Sequence, residues 1–287
     1  MKKIVSLFGL PVMLLAALAA HALTVTPLAG VSNQSFAQST FAATVPAVRV
    51  TDSLGQPVAG AQVRFSAVGY TGTNGSIFFP GAGFSFENDY FATTDTNGIA
   101  TAGLGPIGYI AGASGIDVTA TVQGPLGPES ATTSIPLTVT AGGATRFTVV
   151  SGSKQKAPAG SAFASGWVAQ ALDARKQPVP NAAVVFFATG DASLPSVTFN
   201  GTNSVWVRAD ANGIATSPTP VANLVVGKEE GFAATLNFGV SVSNAFFEYT
   251  ITAPPPGGGG GGDGDGCGAQ RKGNGNCGNG HGANHGK

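Results

Sequence analysis

Between Leu23 and Ala253 short apolar runs alternate with turn residues at near-regular spacing. Val63 and Phe65 stand two apart around Arg64, and Val184 and Phe186 stand two apart around Val185. That is the period of a strand with one buried face. The stretches Leu137 to Ala141 and Tyr249 to Ala253 read as further strands, and no segment carries a convincing amphipathic-helix pattern. Many short strands separated by turn signals predict antiparallel sheets packed face to face.

The strands fall into one unit written twice. Asp52-Ser53-Leu54-Gly55-Gln56-Pro57-Val58-Ala59-Gly60-Ala61 matches Asp173-Ala174-Arg175-Lys176-Gln177-Pro178-Val179-Pro180-Asn181-Ala182. Asp95-Thr96-Asn97-Gly98-Ile99-Ala100-Thr101 matches Asp210-Ala211-Asn212-Gly213-Ile214-Ala215-Thr216. A third pairing sets Val118-Thr119-Ala120-Thr121-Val122 against Phe232-Ala233-Ala234-Thr235-Leu236. Asp-x-Asn-Gly supplies an Asx turn and a glycine tolerant of positive φ, so the chain reverses into the next strand. Proline after Gln56 and Gln177 suits a strand start or an edge, because it donates no ladder hydrogen bond. Lys176 stands where the first copy has Gly55; a positive φ there disfavours a side chain, which predicts a different form for the second turn.

These residues resemble the bacterial immunoglobulin-like group 1 family, the repeats of intimins and invasins. The resemblance rests on Asp-x-x-Gly-x-Pro-Val, the Val-x-Phe strand, Asp-x-Asn-Gly-x-Ala-Thr and the late Val-Thr-Ala-Thr-Val strand. Val149-Val150-Ser151-Gly152 and Ala157-Pro158-Ala159-Gly160-Ser161-Ala162-Phe163 open the second copy in the same manner. It implies a β-sandwich used in tandem in surface proteins, as a stalk or an adhesive segment.

The two ends read differently from the middle. Lys2-Lys3, the apolar run from Ile4 to Ala20 and Ala20-His21-Ala22 make a secretory signal with the cut after Ala22. From Pro254 the chain is three prolines, six glycines and a Gly/Asn/His-rich end, with too little apolar surface to offset the entropy of ordering. The expected organisation is a signal peptide over 1–22, immunoglobulin-like domains over 28–141 and 142–253, and a disordered Gly-rich tail over 254–287. The expected fold class is therefore all-β, as two tandem antiparallel β-sandwiches.

Charge and chemistry narrow the function. Charged residues are 10% of the chain, against about 25% in average proteins. Twelve basic and fourteen acidic side chains remain once Lys2 and Lys3 are removed, with no basic cluster of the kind nucleic-acid binding needs. Residues 23–253 contain no His and no Cys, which removes Ser-His-Asp and Cys-His catalysis and the usual zinc ligands. Asp52, Asp95, Asp173 and Asp210 sit in turn signatures, where capping accounts for them. No enzyme activity and no cofactor or metal in the folded part are expected.

The first copy runs thirty positions from Phe65 to Asp95, where the second runs twenty-four from Phe186 to Asp210. The insertion carries Tyr70, Phe78, Phe79, Phe84, Phe86, Tyr90 and Phe91 with Glu87 and Asp89. Tyr70, Tyr90, Glu87 and Asp89 are the candidate ligand surface, because aromatics beside carboxylates suit sugar stacking or a protein hot spot. The alternative makes Phe78, Phe84 and Phe86 core residues, with Phe84 and Phe86 alternating on one buried face. Trp167 and Trp206, both in strand-like surroundings, are expected to pack in or near the core. In the tail, Cys267 and Cys277 are a candidate disulfide, and His281 and His285 with two thiolates are a rival zinc or copper site. The expected function is an exported, non-enzymatic binding or structural module of the cell envelope, in the adhesion class, secreted, surface-bound or periplasmic. The partner would be an unidentified protein or glycan, with no nucleic acid and no transmembrane segment after signal cleavage. The alternative is a polysaccharide-binding accessory protein using the aromatic segment of the first copy.

Overall fold

The computed structural model describes residues 22–69, 76–81, 85–124, 127–235 and 242–255. Among these there is no helix, and none that could cross a membrane. The first copy holds β1 (Thr24–Pro27), β2 (Gln34–Ala37), β3 (Ala47–Thr51), β4 (Gln62–Gly69), β5 (Ser76–Pro80), β6 (Phe86–Glu87), β7 (Asp89–Thr93), β8 (Ile99–Thr101), β9 (Ile107–Ile110), β10 (Gly112–Gly124) and β11 (Gly127–Thr140). The second holds β12 (Arg146–Ser151), β13 (Gln155–Pro158), β14 (Val168–Leu172), β15 (Ala183–Phe187), β16 (Val197–Thr198), β17 (Ser204–Arg208), β18 (Ile214–Thr216), β19 (Val221–Ala222), β20 (Gly227–Ala234) and β21 (Ala245–Thr252).

Each copy is a sandwich with the same plan. A three-stranded sheet, β1-β3-β8 or β12-β14-β18, faces a five-stranded one, β2-β11-β10-β4-β7 or β13-β21-β20-β15-β17. The remaining strands make the small sheets β6-β5-β9 and β16-β19. Pairing is antiparallel except where β2 lies parallel to β11 and β13 to β21. The cause is local: the first strand of each copy crosses from one sheet to the other at a left-handed residue, Asn33 (φ 58°) or Lys154 (φ 61°). One glutamine clamps each crossing. Gln34 Nε2 donates to the carbonyls of Val31 and Thr44, and Gln155 Nε2 to those of Gly152 and Ser165.

The turn landmarks superpose bond for bond. Asp52 Oδ1 accepts from the amides of Leu54 and Gln56, and Asp173 Oδ1 from those of Arg175 and Gln177. Asp95 and Asp210 cap their hairpins in the same way. Lys176 has φ 63° against 75° at Gly55, and its amide donates to Asp173 O as Gly55 donates to Asp52 O. The second turn thus keeps the form of the first, contrary to expectation; the Asx bonds hold a lysine in the left-handed region. The third landmark needs a shift of one residue. Val118 faces Phe65 and Ala233 faces Phe186, so Ala233, not Phe232, is the counterpart of Val118.

Both cores lie between the sheets but are filled differently. The first is mostly aliphatic around Phe65 and Phe79, with Val48, Val50, Val63, Ile116, Val118 and Ile135 fully buried. The second centres on Trp167, which stacks on Phe247 at 5.0 Å and on Tyr249 at 5.8 Å. With Ala233 matching Val118, Gly231 occupies the place of Ile116. A Cβ on Gly231 would overlap the Trp167 ring, so the large side chain just before β14 requires the missing one on β20. Contacts gather the described residues up to Ala253 into one compact unit.

Candidate functional site

Of the four residues read as a ligand surface, the three that are described, Glu87, Asp89 and Tyr90, do not share a face. Tyr70 lies outside the described residues, as do Phe84, the leader through His21 and the tail with Cys267 and Cys277. Tyr90 and Asp89 are neighbours on β7, so their side chains leave on opposite sides. Tyr90 turns inward: it packs on the first core, 5.9 Å from the Phe79 ring, and its ring lies against Gly103. Asp89 turns outward and accepts from Arg64 Nη2 at 2.8 Å. The Arg64 hydrogen bond holds the Asp89 carboxyl below its ordinary pKa, with a smaller contribution from the Ser66 hydroxyl and opposition from desolvation. Glu87 is exposed on β6 and accepts from Ser85 Oγ at 3.0 Å. No cluster of three or more metal-ligating side chains occurs among the described residues.

The aromatic insertion does something else. Phe78 is buried, while Phe86 is 37% exposed and meets Phe78 edge-on at 4.4 Å. The expected burial of Phe86 in the strand core therefore does not occur. Phe78 and Phe86 instead cover Trp206 of the second copy, at 6.5 and 5.8 Å between centroids. Trp167 and Trp206 are both buried, the first in its own core and the second at this junction.

At the junction Phe41, Phe78 and Ile107 of the first copy form one buried cluster with Ala183, Val185, Trp206 and Ala234 of the second. The backbone joins in strand fashion. Phe41 N–H donates to Asn181 O at 2.9 Å, and Ala183 N–H donates to Ser39 O at 2.8 Å. Arg208 then spans the two copies. Its Nη1 donates to Ala42 O at 2.7 Å and to Asn181 Oδ1 at 3.3 Å, its Nη2 to Leu104 O at 2.6 Å, and its guanidinium lies 4.7 Å over the Phe41 ring. Desolvation lowers its pKa, and a guanidinium stays charged regardless. The carbonyl oxygens and the ring face are what balance that charge.

Comparing the two copies shows why the junction forms where it does. Strand β15 is buried on both faces: Val184 and Phe186 face the core, Ala183 and Val185 face the other copy. The outward positions of β4 that match Ala183, Val185 and Phe187 are Gln62, Arg64 and Ser66. Those matching Phe232 and Ala234 are Asp117 and Thr119. Trp206 matches Phe91, which is 66% exposed, and Arg208 matches Thr93. The docking side behaves likewise. Ala42 N–H donates to Pro106 O as Phe163 N–H donates to Pro220 O, which sets Phe41 against Ala162 and Ile107 against Val221. Phe78 pairs with Ile107 as Thr198 pairs with Val221, and Tyr109 falls at Asn223. Nearly every large apolar group of the junction has a smaller or polar counterpart at the corresponding free surface.

Beside the junction runs an open groove of about 420 Å³. Tyr90, Gly103 and Leu104 form its first-copy wall, and Ser204, Val205 and Trp206, on the sheet-edge strand β17, form the other.

No family model matches the chain, and no curated protein matches its sequence. Solved structures do. They include bacterial surface proteins and also domains of an S-layer protein, of titin and of a β-glucuronidase, all with low TM-scores. FdeC, an adhesin of Escherichia coli, is 13% identical with a TM-score of 0.29, over 80% of this chain and 65% of that one. Invasin, a bacterial integrin-binding protein, is 20% identical with a TM-score of 0.27, over 82% of this chain and 40% of that one. The D00-D0 domain of intimin is 16% identical with a TM-score of 0.26, over 79% of this chain and 99% of that one. The chain thus spans under two thirds of the FdeC and invasin structures. The all-β, two-sandwich architecture itself follows from strand order and register.

Proposed function

We infer that this chain is an exported, non-enzymatic binding or structural module of the bacterial cell envelope, in the adhesion class, whose two sandwiches act as one stiff spacer. The junction carries this reading. A flexible string of beads needs no shared core between beads, whereas here apolar burial, two strand-type hydrogen bonds and Arg208 fix one sandwich on the next. Stiffness of that kind suits holding a binding surface away from its point of attachment. The absence of His and Cys from residues 23–253 supports a non-catalytic role. The domain limits of 28–141 and 142–253, the signal over 1–22 and the tail over 254–287 belong to the same proposal.

Protease shaving of intact cells, with blotting of cells, envelope and medium, tests it. Loss of the mature chain from intact cells supports display outside. Protection until the outer membrane is opened removes the adhesion reading and leaves a periplasmic structural part.

A further inference from the structure

Strand β7 is the outer strand of its sheet, beyond β4. The bonds that flank this pairing, Thr94 N–H to Ala61 O and Ala67 N–H to Asn88 O, fix which of its residues face β4. By alternation Tyr90 and Ala92 turn their backbone groups to β4, so Asp89, Phe91 and Thr93 aim their N–H and C=O groups at the open edge. No described residue bonds to those groups. Such an edge is a template for another strand, and folds usually blunt it with lysine, proline, a bulge or a covering segment. The other outer strands of the two large sheets are blunted in this way. Thr44 runs beside β2, bonded both ways to the Gln34 side chain. β13 carries Lys156 and Pro158, and on β17 the rings of Phe78 and Phe86 cover Trp206. β7 has none of these devices. It reads Asp-Tyr-Phe-Ala-Thr in unbroken register, and its one charge is tied to Arg64 at 2.8 Å. Phe91, the counterpart of Trp206, stands 66% exposed at its middle.

We propose that β7 pairs antiparallel with β7 of a second molecule of this chain, joining the two five-stranded sheets edge to edge across a twofold axis at Phe91. That register matches every outward amide of one strand with a carbonyl of the other. It sets Phe91 against Phe91, so the two exposed rings cover each other, and Asp89 against Thr93, so no like charges are opposed. The strand is thus complementary to itself, which selects a second molecule over a foreign segment. The contact is isologous, so it closes on two chains and makes the module bivalent without building a filament. Five residues on each side make a small contact, so the dimer is a weak one, in the micromolar range.

Sedimentation equilibrium of the mature chain tests this. A monomer–dimer equilibrium should appear, with a dissociation constant below about 1 mM. Phe91→Lys places like charges opposite each other at the axis and should weaken the dimer about tenfold or more. The substituted side chain faces solvent and the ladder to β4 is untouched, so the melting temperature of the dilute monomer should hold. Thr93→Pro removes an outward N–H and should weaken the dimer likewise. Phe246→Lys, at an exposed phenylalanine of the second sandwich, should leave it unchanged. A chain that stays monomeric up to about 1 mM overturns the proposal and leaves the edge to an extended segment of another protein. A dimer that survives Phe91→Lys, or one that Phe246→Lys abolishes equally, overturns it as well. Cell shaving reads independently: a displayed chain that stays monomeric keeps the module reading and loses this one.

Discussion

Phe41→Ala tests whether the junction holds the sandwiches as one unit. The substitution copies what the repeat already contains, because the matching position of the second sandwich is Ala162, exposed and in the same backbone pairing. The local fold therefore accepts alanine, and the cost falls on the junction. Phe41 is fully buried there, and truncating such a ring costs about 3–5 kcal/mol. Loss of the ring beneath Arg208 accounts for about 0.5–1 kcal/mol of this. In a unit of this size each kcal/mol moves the melting temperature by about 2–4 °C, so the transition should fall by about 10 °C. Calorimetry should also show one transition becoming two, since each sandwich keeps its own core. Pairing the change with Arg208→Ala isolates the ring contact, because the two losses should be less than additive. A fall of under about 2 °C with a single unchanged transition refutes the reasoning, since it would mean that the shared cluster contributes little.

Three further outcomes follow from particular residues. Lys176→Gly should raise stability by about 0.5–1 kcal/mol in a denaturant titration, the relief of a left-handed lysine less the extra freedom of glycine when unfolded; a loss would show that the Asx turn removes the strain. Gly231→Ala should cost about 3 kcal/mol, because its Cβ overlaps the Trp167 ring, and Trp167→Phe should recover part of that in the double variant; equal losses with and without Trp167→Phe would contradict the large-for-small exchange. Acid should weaken the fold through Asp89 and Asp95, held below 3.8 chiefly by Arg64 and by the Ile99 amide respectively. Their contribution is present above 3.8 and is lost as pH falls through the lower folded values, because the unfolded chain takes up the protons first. Asp95→Asn should flatten the acid limb of the stability curve, and an unchanged limb would place the effect elsewhere.

The first two turn landmarks were legible because their residue types are set by local backbone need: an Asp to accept two amides, a Gly at positive φ. The third slipped by one for a physical reason. A strand's faces are told apart only when one is polar, and the second copy has apolar side chains on both. Phe232 looks like the partner of Val118 but points outward, while Ala233 fills the inward place beside Phe186. The same two-sided burial was visible as Val185 standing where the first copy has Arg64. Reading that exchange as a contact required knowing which copy covers which. Tyr90 and Asp89 were grouped by proximity in sequence, and the alternation of β7 separates them. Arg208 and Asn181 carried no signal until the junction placed carbonyls and Phe41 around them.

The way the copies differ also sets a limit on growth. A head-to-tail contact between like units is open-ended, since each unit that receives a neighbour can offer its own far end to the next, and such contacts build fibres. Here the far end offers Ala162, Thr198 and Asn223 in place of Phe41, Phe78 and Tyr109, and the near face offers Gln62, Arg64, Asp117 and Thr119 in place of Ala183, Val185, Phe232 and Ala234. A third sandwich arriving at either side would have to strip water from groups that receive nothing in return. The polar exchanges thereby disfavour repeating the welding contact at either side, against the pull of the exposed Phe91 that stands in place of Trp206.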